Sequence, residues 1–364
     1  MKILYLTATN TIGAGNRVLL SWIDYFMKKN YTIAASCPGG GLLSKYLQTI
    51  LEKRYNSINF FTKSRFEQLK SLLNLWYVVH KFRPNLIHCN AEICFLIAKV
   101  VARIYNIPLL IHIRYHFDAS FYNWIFKGHY FPKVVFFVTN ALKQEEKNKI
   151  PLLVRNNSCL TVLHNCLNDP MLQVDDNHSI QNFNKHYYNL GCFAPIQERK
   201  NQKDLVLLAK KMKNRQIPFK IWIAGFIREQ TYFRELMEFI SSFGLENEII
   251  FVGHLDNPFS FMKAMDINLS VSTYETFGMS VLESMALGVP VIAYRVPAVA
   301  EVIGNAGLLV PIKNINLLEN CCYNLLQKEN LRKNIGEKGR KRFLENFTPE
   351  KICPKLENIY LDIV

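Results

Sequence analysis

The sequence has no C-x-x-C pair, no D-x-D triplet and no long uncharged apolar run. Each absence excludes something. Nine cysteines are present, an odd number without paired spacing, which argues against both a disulfide framework and a zinc site. Reduced thiols, as in a cytosol, are the simpler reading. A spanning helix needs about 18 or more apolar residues in succession. The longest candidate, ICFLIAKVVARIY (93–105), carries Lys99 and Arg103. The opening MKILYLTATN reaches polar residues by position 7, so it does not follow the pattern of a secretory leader. Acidic residues are scarce in the first half, where residues 1–165 hold 21 Lys and Arg against 7 Asp and Glu. Residues 166–364 hold 23 against 22, so nearly all of the net +15 lies in the first half. A one-sided basic domain points to an anionic partner: a membrane leaflet, a nucleic acid or a phosphorylated substrate.

The chain is built for burial. Its 364 residues are 49% hydrophobic and 20% charged, a globular composition too long for one ordinary core. Short apolar runs alternate with amphipathic stretches. KILYLT (2–7), YTIAASC (31–37), NLIHC (85–89), IPLLIHI (107–113) and VVFFVT (134–139) read as strands. YYNLGCF (187–193), FKIWIAG (219–225), EIIFVG (248–253), INLSVS (267–272) and VPVIAY (289–294) repeat the pattern. Continuous apolar strands separated by helices predict parallel sheets buried on both faces. The expected fold is α/β, two doubly wound Rossmann-like domains facing across a cleft, with ligands at the carboxyl ends of the strands. The expected boundaries are 1–167 for a basic first domain, 168–185 for a linker, 186–346 for a second domain, and 347–364 for a helix returning to the first.

Two stretches carry candidate chemistry. TIGAGNR places Gly13 and Gly15 between the first strand and a helix. Glycine lets backbone approach a ligand closely, and a helix N-terminus favours anions. A G-x-G-x-x-G dinucleotide fingerprint is incomplete here, because Val18 takes the third position; a plain tight turn is the alternative. No acidic residue ends the second strand, which weighs against a nicotinamide oxidoreductase. The second stretch is YETFGMSVLES, with Glu275 and Glu283 eight positions apart around Gly278. A helix starting near Phe277 or Gly278 sets Glu283 about 8 Å along its axis. One carboxylate then stands at the mouth and one on the helix wall. That suits a ligand with hydroxyls at both ends and an anion between, which describes a nucleotide sugar.

The segment SVSTYETFGMSVLESMALGVPVIAYRVPAVAEVIGNAGLLV (270–310) resembles the C-terminal signature of glycosyltransferase family 4, retaining enzymes of the GT-B fold. The resemblance rests on E-x7-E (Glu275 and Glu283), a G-x-P-V-I strand (Gly288 to Ile292) and the later Glu301 and Gly307. Weaker similarity covers GAGNRVLL, NLIHCN, TVLHNCLN and GLENEIIFVGHLDN. It implies that Glu283 holds the nucleotide ribose, that Glu275 contacts the transferred sugar, and that the loop amides Phe277, Gly278 and Met279 approach sugar and phosphates. It also implies that Lys200, with Arg199, neutralises the diphosphate; Cys192 stands where the family often has Arg. In the first domain it implies His112 or Arg114 near the reacting centre, with Gly13 and Gly15 closing on the phosphates. No D-x-D holds a cation, since the clustered Asp175 and Asp176 fall in the linker, so neither metal nor other cofactor is expected.

The implied activity is transfer of a sugar from a nucleotide-sugar donor, UDP-sugar ahead of GDP-sugar, to a lipid-linked or polysaccharide acceptor in bacterial surface glycan synthesis. A nucleotide-sugar epimerase on the same fold is the nearest alternative. A nucleic-acid partner is not expected: neither a basic stripe on one helix nor an aromatic RNA-binding motif is visible. Basic and aromatic residues interleave in 60–82 and 121–133, which suits a membrane interface. The expected location is cytoplasmic, on the inner face of the membrane.

Overall fold

The computed structural model describes residues 1–62, 64–169 and 186–364. Most of the expected linker therefore lies outside the described residues. Two compact units are present, one formed by Met1–Leu167 with Phe347–Val364, the other by Asn168–Asn346.

The first unit carries seven strands: β1 (Lys2–Leu6), β2 (Thr32–Cys37), β3 (Tyr55–Ser57), β4 (Leu86–Cys89), β5 (Leu109–Ile113), β6 (Val134–Phe137) and β7 (Cys159–Val162). They lie in the order β3-β2-β1-β4-β5-β6-β7, every pair parallel. The central strands β4, β5 and β6 are buried at every position. Helices on both faces explain such unbroken apolar runs. The second unit carries β8 (Tyr188–Phe193), β9 (Phe219–Ala224), β10 (Ile249–Gly253), β11 (Ile267–Ser270), β12 (Val291–Tyr294) and β13 (Leu308–Val310). Their order is β10-β9-β8-β11-β12-β13, again all parallel.

Each sheet thus reverses strand order once, at β1/β4 and at β8/β11. A doubly wound sheet opens a crevice outside the carboxyl ends of its strands at such a point. The loops that follow β1, β4, β8 and β11 are therefore the ones positioned to bind.

The C-terminal helix Pro349–Ile363 belongs to the first unit. Its Tyr360 is buried and reaches Tyr5 Oη (3.2 Å) and His88 Nδ1 (2.5 Å). Its Glu357 accepts from Lys29 Nζ (2.6 Å) and Tyr31 Oη (2.8 Å). The chain end is thereby fastened to the strand and helix that open the unit.

Candidate active site

In the second unit the loops after β8 and β11 meet at the switch point. Lys200 ends a short turn, Glu198–Lys200, and its ammonium donates to Glu275 Oε1. Both side chains are largely buried. The backbone fixes the same meeting: Thr273 N–H and Oγ1 both donate to the Arg199 carbonyl (3.0 and 3.2 Å). Arg199 itself is half-buried, and the Gln197 carboxamide oxygen accepts from its Nε (2.8 Å) and Nη2 (3.1 Å). Asn201, in the left-handed region at φ 56°, turns the chain into the next helix. Its amide donates to Asp204 Oδ2 (2.7 Å) and the Val271 carbonyl (3.4 Å), a further tie between the two loops.

The helix Met279–Ala286 starts immediately after this junction. Its N-cap is Gly278, at φ 90° and ψ 61°, a conformation that any Cβ strains. Space is short as well: a Cβ there would lie 3.2 Å from Val299 Cγ2. No side chain caps this end. The first amide groups of a helix lack intrahelical partners, and the dipole adds partial positive charge there. Glu283, the fifth residue of the helix, is 4% exposed. Below it, Asn268 of β11 donates to Ser284 Oγ (2.6 Å), fixing the helix on the sheet. Cys192 is buried within β8, and burial pushes its thiol up to about 12. A neutral thiol at this position supplies no positive charge, so the cations of the site are Lys200 and Arg199.

The predicted residues of the first unit fall into two groups. Gly13 caps the helix Ala14–Lys28 in an extended conformation that does not need glycine. At Gly15 space is short, because a Cβ there would lie 3.1 Å from Arg114 Cδ. The close neighbour of this glycine is thus Arg114. That residue follows β5 and is 8% exposed. Its Nε donates to the Asn90 carbonyl (3.1 Å), Nη2 to Asn90 Oδ1 (2.5 Å) and Nη1 to Asn165 Oδ1 (2.8 Å). Asn90 in turn donates to the Gly15 carbonyl (3.3 Å) and Asn16 Oδ1 (3.2 Å). Sequence reasoning missed Asn90, Asn165 and Asn16. Asparagine has no spacing signature, and only the fold brings residues 16, 90, 114 and 165 together. Burial without a hydrogen-bonded carboxylate lowers the Arg114 pKa to about 10.

His112 is the other residue that the resemblance places near a reacting centre. It is fully buried, with Nδ1 2.8 Å from His88 Nε2. Trp22 and Phe136 flank it at ring distances of 4.9 and 4.8 Å. Its Nε2 is buried and has no hydrogen-bond partner among the described residues. Burial drives His112 well below the ordinary histidine value and lowers His88 to about 3.

Glu92, in the turn after β4, is also buried, and burial raises it to about 7. A carboxyl raised in the folded state contributes stability that is complete below its unfolded value near 4.5 and is lost as pH rises through about 7. Glu92→Gln is therefore expected to stabilise the protein at pH 8, with the gain shrinking toward pH 4.5. Urea unfolding of both proteins across that range checks it, and an equal gain at both ends would contradict it.

Among the described residues His116, Glu145 and Glu146 could approach a metal ion. Lys149 Nζ already lies 2.8 Å from Glu146 Oε1 and 3.1 Å from His116 Nδ1, supplying positive charge from within.

Two doubly wound units, the second with a buried Lys–Glu pair beside an uncapped helix tip, define the class: an α/β protein of GT-B architecture. The family model described as "Glycosyl transferases group 1" matches residues 173–342. The capsular polysaccharide biosynthesis glycosyltransferase CapM of Staphylococcus aureus is 24% identical over 99% of this chain and 96% of its own length. The N-acetyl-alpha-D-glucosaminyl L-malate synthase of Bacillus anthracis is 28% identical over 62% of the chain and 60% of its own length. The O-antigen biosynthesis glycosyltransferase WclY of Escherichia coli is 32% identical over 51% and 53%. The chain thus spans nearly all of CapM and a little over half of the other two. Among solved structures, Anabaena HepE in complex with UDP and glucose superposes with a TM-score of 0.83 at 18% identity, covering 100% of both chains. The family match covers residues 173–342, just under half of the chain, and with CapM matched over nearly its whole length the chain is an enzyme of the glycosyltransferase class.

Proposed function

We propose that this protein is a retaining glycosyltransferase of family 4 that moves a sugar from a nucleotide-sugar donor, with UDP-sugar favoured, to a lipid-linked or glycan acceptor in bacterial surface polysaccharide synthesis. The observation that carries the reading is the Lys200–Glu275 pair at the β8/β11 switch point beside the helix tip at Gly278. Lys200 and Arg199 meet the charge that develops on the departing diphosphate, together with the amides of Phe277, Gly278 and Met279. Glu275, held in place by Lys200, accepts from hydroxyls of the transferred sugar. Glu283 accepts from the ribose hydroxyls, in an enclosed position where charge-assisted hydrogen bonds are strong. The proposed chemistry needs no metal, because protein cations and helix amides meet the leaving-group charge. In the first unit Arg114 acts as a positioning residue, holding the glycine loop through Asn90.

Several facts support this reading from outside the site. HepE binds UDP and UDP-glucose in its solved complexes, and CapM and WclY are named for capsule and O-antigen synthesis. The strongly basic first half suits a protein working at the anionic inner face of the membrane on a lipid-linked acceptor. No described helix is long and apolar enough to cross a bilayer.

The test is thermal stability in the presence of UDP, GDP, ADP and TDP. A ligand at a hundred times its Kd stabilises by about 2.7 kcal/mol. UDP is expected to raise Tm most. Equal shifts from all four, or none, would remove the support for a UDP-sugar donor.

A further inference from the structure

The helix Arg65–Phe82 in the first unit is apolar on two opposite sides. Ser71, Leu75, Val78 and Val79 face inward and are buried. Phe66, Leu69, Leu73, Trp76 and Tyr77 face outward, with Phe66 73%, Leu73 56% and Trp76 42% exposed. At 3.6 residues per turn these five project within an arc of about 100°. On the same projection Arg65 lies at one edge of the arc, and Lys70 and Lys81 lie at the other. The only acid of the helix, Glu67, falls outside the arc. Exposed apolar side chains continue on the adjoining helix Phe95–Tyr105, at Val100 and Ile104. The two helices are joined where His80 Nδ1 meets Tyr105 Oη at 3.1 Å.

We infer that this outward stripe is a membrane-insertion face that seats the first unit on an anionic bilayer. The occupant follows from the arrangement of charge. An apolar stripe bordered on both edges by cations, with Trp and Tyr within it, matches the layering of hydrocarbon, interface and anionic headgroup. A partner protein would need acidic groups at both borders of one narrow groove, whereas a leaflet offers them everywhere. The net charge of the first half, 21 basic against 7 acidic residues, has the sign this requires. The inference deepens the membrane part of the proposed function and rests on it.

The full-length protein is to be sedimented with phosphatidylcholine vesicles and with vesicles in which phosphatidylglycerol replaces a third of the lipid. Wild type is expected to bind the anionic vesicles more tightly. The double variant Leu73→Ser/Trp76→Ser should lose about tenfold or more in vesicle affinity while keeping its Tm and its response to UDP. The variant sites are exposed, so the fold is expected to survive, and an unchanged Tm confirms that it has. Wild type failing to prefer anionic vesicles would overturn both the insertion face and the membrane part of the function. Preference retained in full by the double variant would overturn the face alone. Wild type that dimerises, with a variant that is monomeric and binds vesicles equally well, would reassign the stripe to a second copy of the chain.

Discussion

Glu283→Ala is expected to abolish the thermal shift given by the preferred nucleoside diphosphate and to lower kcat/KM by about 100-fold or more. Glu283 is almost wholly enclosed one and a half turns into the helix that Gly278 starts. A hydrogen bond to a charged group contributes about 1.5–3 kcal/mol. Two ribose hydroxyls on one carboxylate therefore account for roughly 3 kcal/mol or more, and about 1.4 kcal/mol is tenfold. Because ribose belongs to both donor and leaving nucleotide, the loss should fall on KM and on UDP binding together. Glu283→Gln keeps the shape and removes the charge, so it should lie between wild type and Ala. A Glu283→Ala protein that folds and still shifts with UDP as wild type does would place the nucleotide elsewhere.

The second large effect concerns Lys200. Lys200→Ala is expected to lower kcat by about 100- to 1,000-fold, the range for removing one preorganised group that stabilises developing charge. It should also destabilise the fold, because it leaves Glu275 largely buried without its cation. Breaking a buried pair by removing one partner costs about 3–5 kcal/mol, less here because both groups keep some solvent. The double variant Lys200→Ala/Glu275→Ala should recover much of that stability and none of the activity. Urea unfolding and initial rates on the single and double variants separate the two contributions. A double variant no more stable than Lys200→Ala would show that the pair is not coupled. Wild-type kcat in Lys200→Ala would remove Lys200 from the chemistry.

The ten strands expected from apolar runs are all present, with ends moved by up to two residues. Three further strands, β3, β7 and β13, are three or four residues long. All three sit at sheet edges, where part of each strand stays accessible and no fully buried run marks it. The E-x7-E spacing and the glycine between were readable because a helix start and a fixed axial rise follow from local chemistry. The position of Lys200 against Glu275 was not, since 75 residues separate them and only the β8/β11 pairing closes that distance. His112 shows the converse. An alternating strand pattern puts it on one face with Arg114, and both do lie against Trp22. Whether that face meets solvent or core depends on Trp22 and Phe136, which arrive from another helix and another strand.

By itself the sequence determined where most of the strands form, that both sheets are parallel, and which segment carries the two glutamates. These follow from the period of apolar residues and from backbone preferences that act over a few positions. Tertiary structure alone decided which polar groups meet: Lys200 with Glu275, Arg114 with Asn90 and Asn165, His88 with His112 and Tyr360. Contacts between residues far apart in the chain depend on strand order and register, and no local pattern encodes those.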